Sequence, residues 1–314
     1  MKIINIDAPD ELVELFLKKD LPKSVRSFFE GLEKNYYKEF KKYQNITTHH
    51  PSHSPVRKFE CGRYENMAVL WHTIPIYLRS MRREGQDYGI IDLLGAYFPN
   101  KTGDGPYIEL YLTDIYSEAE NEVETNHSTD TAKEKTRKKE EYFKKILTIV
   151  LIHELAHATL DIFNMEAPHS SEKVSYRTNF GRWHEESMAN AVALRIIKEK
   201  SNSVKDKKTG KEYIDASGNP ISNNTTIYNY AKEFMLSQTD EYALGALMED
   251  FDADDFNSVF EAKIYGVDAK LQQEWLKYAT ELVNYAKGRI STPRDWDGLK
   301  ALNDEINTDI QSRK

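Results

Sequence analysis

The chain has 314 residues, with 43 Lys and Arg against 51 Asp and Glu, and its formal net charge is -8. This negative balance disfavours a nucleic-acid-binding protein, because such binding depends on neutralising phosphates with a basic surface. The single cysteine, Cys61, excludes an internal disulfide and a cysteine-rich zinc module. No apolar run approaches the ~18 residues that span a bilayer, and residues 1–10 lack the apolar core of a secretory signal. We therefore expect a cytoplasmic protein that has no membrane segment.

The first 90 residues are predicted to be a helical part that packs on the core of the protein. Asp10 can cap a helix that ends before Pro22, and Ser24 or Ser27 can open a second helix whose apolar residues recur at helical spacing. Residues 67–82 show the same spacing, so a third helix is predicted there, with a kink or a restart at Pro75.

A β-hairpin is predicted next. Residues 93–98 and 107–112 are mostly apolar and aromatic, and they enclose a turn that is rich in Gly, Asp and Asn. The densely charged stretch 117–141 follows the hairpin. Its first half is predicted to be a loop, and its second half is predicted to be the solvated start of a helix.

The rest of the chain is predicted to be mainly helical. One helix is expected at about 138–163, and it is apolar almost all round between Ile146 and Ile152, as is typical of a helix at the centre of a domain. A second helix is expected at about 183–200, a surface loop at 201–226, and further helices from 227 to the cap glycine Gly288. The last 20 residues are polar and are expected to fray.

The segment that carries chemistry is His153-Glu154-Leu155-Ala156-His157, the pattern H-E-x-x-H. On a helix, residues i and i+4 lie on one face, so the two imidazoles can bind one zinc ion. Glu154 projects toward the same ion, where it can take a proton from the attacking water. The apolar residues just before the motif suit the dry, rigid setting of a metal site, whereas a pair of hydrogen-bonded core histidines is the ordinary alternative.

Hydrolytic zinc also needs a third protein ligand and an open position. A third histidine six residues after His157 is excluded, because that position is Phe163. The later segment 183–193 offers Glu186 as a carboxylate ligand and Asn190 as an acceptor for the far nitrogen of a ligating histidine. Small residues on this helix face would let it approach the motif helix closely. Glu185 is the neighbour of Glu186 on the helix, so it points in a different direction and is the weaker candidate for the carboxylate ligand.

The two segments together resemble the gluzincin group of zinc metallopeptidases, in which H-E-x-x-H is followed by E-x-x-x-(D/N)-x-x-A. The resemblance covers residues about 93–200 and is closest to the minimal intracellular type. It implies that His153, His157 and Glu186 are zinc ligands, that Glu154 is the general base, and that Asn190 orients a ligand. It also implies a substrate-pairing strand, for which the candidate residues are Tyr107, Ile108, Glu109 and Leu110.

The predicted fold class is α+β and mostly helical. It comprises a minimal zincin domain with a small antiparallel sheet or hairpin, and helical additions at both ends. The predicted parts are a helical N-terminal part at 1–90, a zincin-like core at 91–200, a surface loop at 201–226 and a helical C-terminal part at 227–314. We expect these parts to form one compact unit.

The predicted function is zinc-dependent hydrolysis of peptide bonds, with a peptide or protein as substrate and neither a nucleic acid nor a membrane as partner. His184 is an alternative third ligand, as in SprT-like enzymes with three histidines, or an electrophile that stabilises the tetrahedral intermediate. A different class of function also stays open. The chain could be a catalytically silent, metal-stabilised module that binds a peptide without cutting it.

Overall fold

The computed structural model describes residues 2–17, 74–82, 94–98, 107–163, 179–201, 225–248 and 268–312. The described part is mostly helical, with one small sheet, so the predicted α+β class is confirmed. Its strands are β1 (Lys2–Asn5), β2 (Pro75–Arg79), β3 (Gly95–Phe98) and β4 (Tyr107–Tyr111). Its helices are α1 (Asp10–Leu17), α2 (Leu112–Asn126), α3 (Ala132–Phe163), α4 (Asn179–Ser201), α5 (Thr225–Ser237), α6 (Asp240–Met248), α7 (Ala269–Ala286) and α8 (Asp297–Ser312). The second predicted helix of the N-terminal part, the hairpin turn and most of the loop 201–226 lie outside the described residues.

The four strands form one sheet in the order β1-β2-β4-β3. β2 runs parallel to β1 and to β4, whereas β3 and β4 form the predicted antiparallel hairpin. The helix predicted at 67–82 is wrong over Pro75–Arg79, which is a strand. Ile76 and Leu78 are buried and alternate with the half-buried Tyr77, a period of two that the helical interpretation overlooked. The predicted helical N-terminal part therefore supplies two strands of the sheet.

The loop predicted in the first half of 117–141 is also wrong, because most of it belongs to α2. The buried residues of this helix recur every three or four positions, so an apolar stripe was present beneath the dense charge. They are Leu112, Ile115, Ala119 and Val123.

α3 begins at Ala132, six residues before the predicted start, because a capping box opens it. The Glu134 carboxylate accepts from the Thr131 backbone N–H at 3.1 Å, and the Thr131 hydroxyl accepts from the Glu134 N–H at 3.3 Å. The Thr131 hydroxyl also donates to Glu134 at 2.6 Å.

The chain comprises two compact units. The first unit contains residues 1–163 and 196–231. Its core includes the middle of α3, where Ile146, Leu147, Ile149, Val150 and Ile152 are fully buried. The predicted apolar centre of this helix is therefore confirmed.

The second unit contains residues 164–195 and 232–314. α7 packs on α8 through Trp275, which is fully buried and donates from Nε1 to Asn303 Oδ1 at 3.0 Å. α8 shows that the expected fraying of the last 20 residues is wrong over 297–312. Gly288 has φ 67°, so its predicted role as a cap glycine after α7 is confirmed.

Among the helices described, none combines the length and the apolar character that crossing a bilayer requires.

Candidate metal centre

The motif histidines lie one turn apart on α3, and their imidazoles converge. The Nε2 atoms of His153 and His157 are 2.9 Å apart, and the rings meet edge to face with centroids 4.5 Å apart. Two nitrogen ligands of a tetrahedral zinc ion would lie about 3.3 Å apart. Both side chains are buried, with 0% and 2% of their surface exposed. The pair is thus close to the arrangement that a shared ion needs.

β3 approaches α3 closely beside Glu154. A Cβ atom added to Gly95 would lie 2.6 Å from Val150 Cγ1 and 3.3 Å from Glu154 Cγ. The absence of a side chain at Gly95 therefore lets the strand pass directly over the motif helix. Glu154 is 1% exposed, so its carboxylate group is enclosed by protein.

Glu186 completes a group of three potential metal ligands. One ligand atom each from His153, His157 and Glu186 lies within 4.8 Å of the others, and all three residues are buried. Buried carboxylates in proteins are paired or bind metals, because leaving an isolated charge in the interior is costly. These three side chains are therefore close enough to bind one metal ion, as the sequence predicted for them.

Asn190 lies one turn beyond Glu186 and is fully buried. Its Nδ2 donates to the Tyr242 carbonyl of α6 at 3.2 Å. α6 can come this close because a Cβ at Gly245 would lie 2.4 Å from the Ser187 carbonyl oxygen and 2.6 Å from Asn190 Cβ. α4 thus packs closely against α6 at Ser187 and Asn190, and the predicted approach of its small residues to the motif helix stays a prediction. The predicted hydrogen bond from Asn190 to a ligating histidine stays a prediction.

His184 lies outside the group of three ligand atoms. It is 5% exposed and packs against Phe180 and Trp275, with both ring centroids 6.0 Å from its own. On a helix, residues two apart point in nearly opposite directions, so His184 and Glu186 do not share one face of α4. The described structure therefore favours Glu186 over His184 as the third ligand. The electrophile role of His184 stays a prediction.

The predicted substrate-pairing strand requires a correction. Residues Tyr107, Ile108, Glu109 and Leu110 belong to β4, which pairs with β2 on one side and with β3 on the other. Main-chain pairing with a peptide needs a free strand edge, and an interior strand has none. The strand that contacts Glu154 through Gly95 is β3, the first half of the hairpin.

Glu109 belongs instead to a buried charged network that sequence reasoning missed. Its Oε1 accepts from Arg79 Nε at 2.6 Å, and its Oε2 accepts from the Tyr111 hydroxyl at 3.3 Å. Arg79 also pairs with Asp7 at 3.6 Å. Burial, together with the negative charges of Glu109 and Glu154, raises the pKa of Tyr111 above its ordinary value. The sequence signal for this network is the acidic residue Glu109 inside an otherwise apolar strand.

Comparison with known proteins adds no further assignment: no family model, no curated protein and no solved structure matches this chain.

Proposed function

We propose that this protein is a zinc-dependent metallopeptidase of the gluzincin type. The observation that supports this proposal is the convergence of the buried side chains of His153, His157 and Glu186. Glu154, which follows His153 directly in the chain, is buried as well. A structural role for the histidines alone would not require a buried carboxylate beside them. A metal ion would balance the charge of that carboxylate.

Zinc is the ion that fits this donor set best. Two imidazoles and one carboxylate are the usual protein ligands of hydrolytic zinc, and three ligands leave one position open. When bound, zinc would supply a Lewis acid that polarises the scissile carbonyl and lowers the pKa of water.

Glu154 would act as the general base and then as the general acid. Its carboxylate takes a proton from the attacking water, whose oxygen forms a bond to the carbonyl carbon. The tetrahedral intermediate then collapses, the C–N bond breaks, and Glu154 passes the proton to the leaving amine. Because Gly95 of β3 lies against Glu154, β3 would run beside this chemistry.

The proposal predicts that Glu154→Gln keeps the metal and loses the activity. Removing a general base typically lowers the rate by about 10²–10⁴-fold, and Gln preserves the volume of the side chain. The measurement is a digest of a peptide library by both proteins, with the zinc content of each determined in parallel. A chelator should abolish the cleavage by the wild-type protein.

Glu141→Gln is a matched control, because Glu141 lies on the solvent-exposed start of the same helix. It should cleave at the wild-type rate. Equal cleavage by Glu154→Gln and the wild-type protein would refute the proposed mechanism. Stoichiometric zinc with no cleavage of any peptide would instead support the silent binding module.

A further inference from the structure

Arg182 lies on the face of α4 that presents Glu186. Arg182, Glu186 and Asn190 are spaced by four residues, so their side chains follow one another along one side of the helix. Four residues, about 6 Å along the axis, separate Arg182 from the candidate ligand.

The Arg182 side chain is fixed by an ion pair at its end and is partly exposed. Its Nη2 lies 3.2 Å from Glu241 Oε1 of α6, and 40% of the Arg182 side chain is exposed, against 10% for Glu241. Its Nε is buried and has no hydrogen-bond acceptor among the described residues. One ion pair thus fixes the direction of a guanidinium group that has five N–H donors, and a fixed planar donor group suits the binding of a carboxylate.

The ordinary interpretation of Arg182 is an ion pair that joins α4 to α6. That junction is already made by the Asn190–Tyr242 hydrogen bond and by the close contact at Gly245. A tie between helices does not explain why a side chain that is 40% exposed stands one turn from the buried candidate ligand Glu186.

We propose that Arg182 binds a carboxylate of the substrate, so that the enzyme prefers peptides with an acidic group near the scissile bond. This inference rests on the proposed peptidase function and deepens it. The net charge of -8 works against acidic peptides at long range, so such a preference has to come from a local contact. The carboxylate belongs either to an Asp or Glu side chain or to the C-terminus of the peptide.

The test uses the zinc-loaded Glu154→Gln protein as a binder that does not cut. Three peptides of equal length are compared by fluorescence anisotropy: a neutral peptide with blocked ends, the same peptide with one internal Glu, and the neutral peptide with a free C-terminal carboxylate. One of the two acidic peptides should bind about tenfold more tightly than the neutral one. The peptide that does so identifies the source of the carboxylate.

Adding Arg182→Gln should abolish this difference, and Arg182→Lys should retain part of it. In Arg182→Gln alone, the buried Glu241 loses the cation that balances its charge. The double variant Arg182→Gln/Glu241→Gln removes both charges and should lose the preference in the same way. Arg289→Gln is the matched control, because Arg289 also pairs with an acidic residue of α6, Asp240 at 2.9 Å. It should leave the preference unchanged.

Equal binding of all three peptides, or a preference that survives Arg182→Gln, would overturn this inference and leave the peptidase proposal standing. Absence of zinc and of cleavage in the wild-type protein would overturn both.

Discussion

At the scale of single residues, burial separates the two neighbouring glutamates of α4. Glu186 is fully buried beside the two histidines, whereas Glu185 is half-buried and outside the group of ligand atoms. Adjacent helical residues point about 100° apart, so only one of the two can face a given ion. The sequence spacing favoured Glu186, and Glu186 is the one of the two whose carboxylate lies close to the histidines.

Glu186→Gln and Glu185→Gln form a matched pair that tests this assignment. Mutating a residue that only orients a metal ligand typically weakens metal binding by about 10–100-fold. Loss of the Glu186 carboxylate, a direct ligand, should therefore weaken zinc binding by at least about 100-fold. Glu185→Gln should bind zinc as the wild-type protein does. Competition with a chromophoric chelator measures both affinities, and a similar loss in both variants would contradict the assignment.

At the scale of elements, the contact between α4 and α6 holds the helix that carries Glu186. The two helices touch where Gly245 faces the Ser187 carbonyl and the Asn190 side chain. A backbone carbonyl cannot swing aside as a flexible side chain can. The packing of this pair therefore depends on a position that tolerates no side chain.

Gly245→Ala should destabilise the protein by about 1–3 kcal/mol, because the new methyl group overlaps the Ser187 carbonyl oxygen. Intrinsic helix propensity predicts the opposite sign, a gain of up to about 1 kcal/mol. The free energy of unfolding in urea distinguishes the two. Gly288→Ala is an informative comparison, because a Cβ at Gly288 would meet no atom within 4 Å. A loss of stability in that variant would reflect the positive φ of Gly288 alone.

At the scale of the whole molecule, the buried Tyr111 and the half-buried Tyr230 link stability to alkaline pH. Burial is the main cause that raises the pKa of Tyr111 and the pKa of Tyr230 above the ordinary value, and nearby glutamates, Glu109 and Glu122 respectively, add to it. The neutral phenol is thus favoured in the folded state. This contribution to stability is complete below about pH 10, the pKa of an unfolded tyrosine, and is lost as the pH rises through the folded-state value.

We therefore expect part of the tyrosine absorbance change at 295 nm to coincide with the loss of the helical circular dichroism signal above about pH 10. Tyr230→Phe should make unfolding less steeply dependent on pH in this range, because it removes one linked proton. Exposed tyrosines that ionise before unfolding serve as the internal reference. Full tyrosine ionisation with intact helices would contradict the prediction.

The elements that the sequence predicted correctly are those with a strong local signal. The β3–β4 hairpin, the apolar centre of α3 and the cap at Gly288 each follow from short-range periodicity or backbone conformation. β2 was mistaken for a helix because five residues carry little periodic information. α2 was missed because its charged residues masked a four-residue apolar stripe.

The sequence by itself put His153 and His157 on one face of a predicted helix, because helical geometry converts i,i+4 spacing into a shared face. The tertiary structure decided that Glu186, from a later helix, lies close to both imidazoles. Only the tertiary structure decided that Gly95 of β3 lies against Glu154, that Glu109 is held by Arg79, and that His184 packs against aromatic rings. Strand order and side-chain partners depend on residues far apart in the chain. No local pattern encodes them.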